Sequence, residues 1–237
     1  MKKFLILIVG IGLFASCANV VPPSGGAKDT TPPLAETSAP SNNATNYQGN
    51  TVLINFDEHI QLKNINEEFY SSPPIQETPK FTIKNKALLI DWEKGSLKDN
   101  TTYVFHLGNS IADYNEGNIL SNHSVLFSTG PSIDTLTLSG VITGALEKNP
   151  IEGALAVLYL ETTPKKDSLL YLERPHYIAR TNKEGVFHFK NLQEERYVLF
   201  ALADEDRNLK FSLAEEFVGF CDTSVSPQQE NINLQIF

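Results

Sequence analysis

The sequence predicts an all-β protein, with two tandem antiparallel β-sandwich domains following a signal peptide and a flexible tether. Three observations predict it. Short runs alternate apolar and polar residues with a period of two. Clusters of Ser, Pro, Asn and Gly separate the runs. No window keeps apolar residues at helical spacing between proper caps, so helix is expected to be minor.

The chain opens on Met1-Lys2-Lys3, runs apolar from Phe4 to Phe14 and reaches Ala15-Ser16-Cys17. A basic start, a short apolar stretch and small residues predict an export signal over residues 1–16. About 18 apolar residues would be needed to span a bilayer, and this run is shorter. Phe14-Ala15-Ser16-Cys17 resembles the bacterial lipobox, although an aliphatic residue is usual where Phe14 stands. That resemblance implies cleavage before Cys17 and lipidation of Cys17, with the lipid as the membrane contact. Several acyl chains on one residue anchor durably where a single chain holds marginally. Ala18-Asn19 lacks the Asp that retains such lipoproteins at the inner membrane, so an outer-membrane location is expected. Periplasm-facing and surface-exposed orientations both stay open.

Lipidation of Cys17 leaves Cys221 alone, so no intramolecular disulfide is expected and Cys221 reads as a small buried hydrophobe. The formal charge of −9 argues against nucleic acid and against electrostatic adhesion to anionic lipid. From Cys17 to Thr31 the chain is rich in Pro, Gly and small polar residues, which predicts a tether.

Alternation then begins. Val52, Ile54 and Phe56 share one face of a strand; Leu88, Ile90 and Trp92 share another, as do Tyr103, Phe105 and Leu107. Residues 124–129 close the series, and Ser71-Ser72-Pro73-Pro74 and Asn115-Glu116-Gly117-Asn118 read as turns. Gly130-Pro131 interrupts the pattern, placing a first domain over 32–130 and a second over 134–237. The second repeats the grammar at 136–141, 154–160, 185–189, 197–202 and 232–236.

Thr31-Pro32-Pro33, Phe56-Asp57-Glu58, Ser72-Pro73-Pro74, the run Leu97 to Tyr103 and Phe127-Ser128-Thr129-Gly130 together resemble the bacterial Ig-like domain. Leu138-Ser139-Gly140-Val141, Pro150 to Ala154, Thr181 to Leu192 and Arg196 to Leu199 resemble the carboxypeptidase regulatory-like, prealbumin-like sandwich. Gly185 suits a tight turn before a strand. The combination resembles envelope lipoproteins and implies a fold and a location, with no activity.

Asp204, Asp206, Asn208, Ser212 and Glu215, with the carbonyl of Lys210, place oxygens at the spacing of a twelve-residue Ca²⁺ loop. Leu209 stands where such loops carry Gly, and the flanks read as strands, so the segment is either a structural Ca²⁺ site or an acidic turn bonding its own amides. No cofactor is otherwise required. His59, His106, His123, His176 and His188 are scattered without metal-type spacing, and no nucleophile elbow or phosphate loop occurs. Asp57 and Glu58, adjacent in a strand, point to opposite faces. An enzyme is not expected. Tyr171 and Tyr177, in a long insertion, are candidate partner-binding residues. The expected function is an envelope scaffold or adhesion module for another protein. The alternative, a glycan-binding lipoprotein, needs Trp92, Tyr70, Tyr171 and Tyr177 to form an exposed platform.

Overall fold

The structure, a computed structural model, describes residues 26–237 except 76, 165–167, 207 and 213–215. The export signal and Cys17 lie outside the described residues. Thr31–Phe237 make one compact unit.

Its first half holds ten strands: β1 (Ala35–Ala39), β2 (Thr51–Phe56), β3 (Ile60–Leu62), β4 (Tyr70–Ser72), β5 (Lys80–Lys84), β6 (Ala87–Asp91), β7 (Thr102–Gly108), β8 (Ile111–Asp113), β9 (Ile119–Leu120) and β10 (His123–Ser128). Two sheets, ordered β1-β2-β6-β5 and β10-β7-β4, face each other, and β3-β8-β9 form a small third sheet. Alternation decides what each strand buries. Val52, Ile54, Phe56, Leu88, Ile90, Trp92, Tyr103, Phe105, Leu107 and Phe127 make one apolar core. Burying such side chains stabilises by roughly 1.5–3 kcal/mol each before conformational entropy opposes it.

The second half holds seven strands: β11 (Leu136–Gly144), β12 (Leu155–Leu160), β13 (Tyr177–Arg180), β14 (Val186–Leu192), β15 (Tyr197–Leu202), β16 (Val218–Phe220) and β17 (Ile232–Ile236). They form the sheets β14-β11-β17 and β13-β12-β15-β16. Among the described residues the predicted antiparallel pattern holds between the named strands with one exception: β17 pairs with β11 in parallel. Gly140 on β11 permits this approach, because a Cβ there would meet the Ile232 carbonyl oxygen at 2.2 Å. Among the described residues α-helix is limited to two four-residue pieces, α1 (Ile65–Glu68) and α2 (Leu169–Leu172).

The reading of Ser71-Ser72 as turn is corrected. Both lie in β4, opposite Phe105 and Val104 of β7, and the turn chemistry starts only at Pro73. A Ser-Ser-Pro-Pro run has turn composition, but pairing with a long central strand overrides it.

The sheet β13-β12-β15-β16 is covered on both faces, which explains why β12 is buried almost throughout. Its inner face joins the sandwich core around Phe187, Tyr197 and Leu199. Its outer face carries Leu155, Val157, Tyr159 and Leu202 under Leu169 and Leu170 of α2, with Leu209 and Phe211 packed alongside.

Candidate functional site

Strands β15 and β16 hold the acidic loop between them, closed at its base where Ala203 N–H donates to the Phe217 carbonyl at 2.9 Å. Carboxylate oxygens of Asp204, Asp206 and Glu216 all lie within 4.8 Å of one another. Among the described residues the third acid of this cluster is Glu216, 5% exposed. Counting twelve positions from Asp204 selects Glu215 instead, which lies outside the described residues. Asp204 accepts the amides of Asn208 and Leu209, both at 3.1 Å. Asp206 accepts the Asn208 side-chain amide at 2.7 Å and the Ser212 hydroxyl at 3.0 Å. Glu216 accepts the amides of Ser212 at 2.9 Å and Glu205 at 3.3 Å. Burial pushes the Asp204 carboxyl above the usual carboxylate range; the Leu209 and Asn208 amides oppose this, and the charges of Asp206 and Glu216 add to it.

Leu209 has φ 63°, the left-handed conformation that a Gly supplies in Ca²⁺ loops. A Leu there costs about 1–2 kcal/mol. Burial of its side chain beside the outer-face cluster offsets that cost. Asn208 Oδ1 accepts the Lys210 amide at 2.7 Å, while Lys210 Nζ donates to the Leu172 carbonyl at 3.1 Å and ties the loop to α2. Among the described residues the carboxylates of Asp204, Asp206 and Glu216 accept the chain's own amide and hydroxyl donors. The three gathered carboxylates are also the donor set that a hard cation takes.

The aromatic residues separate into two groups. Tyr171 is 53% exposed and sets its ring edge-on to Phe211 at 5.3 Å. Tyr177, read as a partner-binding residue, is corrected to a core residue. It is 3% exposed, packs edge-on against Tyr197 at 5.7 Å, and its hydroxyl accepts the Gln193 amide at 3.4 Å. Burial pushes its phenol up to about 12. Its place on β13, opposite Leu158 of β12, turns the ring inward. Trp92 is also buried, among Tyr47, Phe105 and Phe127. Tyr70 is half-buried and stacked on His106 at 4.3 Å. These four aromatics do not make an exposed platform.

In the first sandwich the motif pieces interlock. Asp57 Oδ1 accepts the Leu34 amide at 2.8 Å and holds the segment that follows Pro32-Pro33. Tyr103 hydroxyl accepts the Lys98 amide at 2.9 Å. Thr129 Oγ1 accepts the Thr101 amide at 3.0 Å and donates to the Lys98 carbonyl at 2.7 Å, so the last strand locks onto the 97–103 turn. Residues 29–129 match the bacterial Ig-like domain.

No curated protein matches the chain. Among solved structures it is similar to a variant of BcpA, the major pilin subunit of Bacillus cereus, at 12% identity and a TM-score of 0.25, covering 78% of this chain and 59% of that one. It is also similar to the group B streptococcus pilus 2b backbone protein, at 12% identity and 0.26, covering 88% and 95%. The pilus adhesin RrgA of Streptococcus pneumoniae gives 13% identity and 0.22, with this chain spanning 32% of its length. At these TM-scores nothing of the pilins' own roles carries over.

The outer face of β10-β7-β4 in the Ig-like domain meets β13 of the second sandwich, and clefts run along this junction with Ile178 in their walls. One cleft, of about 330 Å³, is lined by Glu67, Glu68 and Asp204 against Arg180. A second, of about 280 Å³, lies on the other side of His106 and contains no carboxylate in its lining. Burial depresses His106 to about 4, and it also lowers His123 and His176; Lys98 of the Ig-like domain adds to the depression at His176. His123 Nε2 and His176 Nδ1 are buried with no hydrogen-bond partner among the described residues. The sequence shows these histidines only as scattered, without metal-type spacing. His106 and His123 share a cleft because β7 pairs with β10, and Arg180 and Asp204 of the second sandwich line that same cleft, a meeting that no local spacing encodes.

Proposed function

We propose that the chain is a non-catalytic scaffold of the bacterial envelope, held on the outer membrane by lipid on Cys17, which displays a protein-binding surface around Tyr171 on a prealbumin-like second sandwich. The observation that carries this reading is the way two loops brace each other on the outer face of that sandwich. Phe211 N–H donates to the Leu170 carbonyl at 2.9 Å, Lys210 reaches the Leu172 carbonyl, and Tyr171 meets Phe211 edge-on. Tyr171 and Leu172 nevertheless leave 53% and 57% of their surface exposed. Rigidly held, exposed apolar side chains lose little conformational entropy on binding, which is how interface anchors work. The Ig-like domain then serves as the spacer between this surface and the anchor. The glycan-binding alternative has no observation in its favour, since Trp92 and Tyr177 belong to the cores.

The test is capture from crosslinked native envelopes followed by mass spectrometry. Tyr171→Ser combined with Leu172→Ser is expected to lose a partner protein that the unaltered chain retains, and Cys17→Ala is expected to release the chain from the membrane fraction. Retention of the same partner by the double variant would reject this surface.

A further inference from the structure

The carboxylate-free cleft at the junction has a chemistry of its own. Its floor includes Ser72 on β4, which is 4% exposed and whose hydroxyl has no hydrogen-bond partner among the described residues. A buried hydroxyl left unpaired costs roughly 1–3 kcal/mol, so such a group in a cavity wall marks a position where a ligand atom or water is wanted. His106 lies beside it, and the rim carries the exposed Lys190 and His188 of β14 and Asn42. Asn42 Oδ1 already accepts the Leu126 amide at 2.8 Å, which leaves its side-chain NH₂ as the group with hydrogens to donate. Lys190 has no ion-pair partner among the described residues. The lining therefore offers hydroxyl, amide, imidazole and ammonium donors with no acid to neutralise them, in a chain of net charge −9. The neighbouring cleft across His106 has the reverse composition, with three acids against one Arg. At about 280 Å³ the cavity is slightly smaller than the roughly 300–1,000 Å³ of small-molecule sites, and too small for a polymer to be enclosed.

We propose that this cleft binds the carboxylate or phosphate group of a small organic anion, with Ser72 and His106 as hydrogen-bond donors at the floor and Lys190 as the charge at the rim. The site goes beyond the scaffold reading and stands independently of it, because it lies on the junction and not on the Tyr171 surface. Lys190 supplies the attraction, and the buried hydroxyl supplies a donor for an oxygen of the anion.

The test is titration of the isotopically labelled chain with acetate, inorganic phosphate and acetamide at constant ionic strength, followed by backbone amide resonances. Acetamide is the neutral isostere of acetate, and acetate against phosphate separates a carboxylate source from a phosphate source. Expected is saturable movement of resonances around Ser72, His106 and Lys190 with at least one anion, and none with acetamide. Lys190→Gln, an exposed change, is expected to weaken binding about tenfold. Ser72→Ala removes an unpartnered group, so it is expected to stay folded and to weaken binding at least threefold. Equal response to acetamide, no saturable response to either anion, or unaltered affinity in both variants overturns the proposal.

Discussion

Asp113 is 1% exposed and ends β8, where its carboxylate accepts the amides of Glu116 at 2.6 Å, Gly117 at 2.9 Å and Asn118 at 2.8 Å. Desolvation raises its pKa, but the Gly117, Glu116 and Asn118 amides and the Asn118 side chain outweigh that and hold it below the usual range. The unfolded chain therefore takes up this proton first. The stabilisation is present above an unfolded pKa of about 4 and disappears as pH falls through the folded value. Asp113→Ala is expected to lower the urea midpoint at pH 7, with the gap to the unaltered chain narrowing by pH 3; equal midpoints at pH 7 would refute it. Gly185 was legible as a turn residue: its φ is 71°, and a Cβ would meet the Ile142 carbonyl at 2.6 Å. Gly185→Ala should cost roughly 1–3 kcal/mol, read as a lowered Tm. Glu216 was not legible. A template counted from Asp204 selects Glu215, which lies outside the described residues, and does not point to Glu216.

Elements were legible wherever one face is buried. Alternation locates β2, β6, β7, β10 and the main strands of the second sandwich, because a register slip would expose every apolar side chain at once. It says little about β3, β8 and β9, of two or three residues each, or about the edge strands β1 and β5. Too few positions alternate there, and pairing partners distant in sequence decide the outcome. The 203–217 loop is an element of another kind, held by side chains that bond its own backbone. Asn208→Ala removes bonds to Asp206, Ser212 and the Lys210 amide together. Because Asn208 is exposed, the effect should be local. Hydrogen exchange over residues 204–212 is expected to accelerate, while global stability falls by less than about 1 kcal/mol. Unchanged exchange in that segment would mean that the backbone alone shapes the loop.

At the scale of the whole molecule, the junction makes stability depend on pH. His106 of the Ig-like domain faces Tyr70, with Glu67, Glu68 and His123 on its own side and Arg180 and Asp204 opposite in the same cleft, and His188 and Lys190 in the next. Its folded pKa of about 4 lies below the ordinary 6.5 because the imidazole is buried. The unfolded state therefore binds this proton first as pH drops. Stability is fully present above about 6.5, declines through the window, and the loss is complete below about 4, where it reaches about 3 kcal/mol. His123 and His176 act in the same direction, whereas the raised Asp204 acts against them. A single variant isolates the contribution. His106→Phe keeps a flat ring on Tyr70 and cannot be charged, so between pH 7 and pH 4.5 its urea midpoint should fall less than that of the unaltered chain. Parallel curves would assign the acid sensitivity to other groups; a flatter curve would assign this share of it to the buried imidazole of His106.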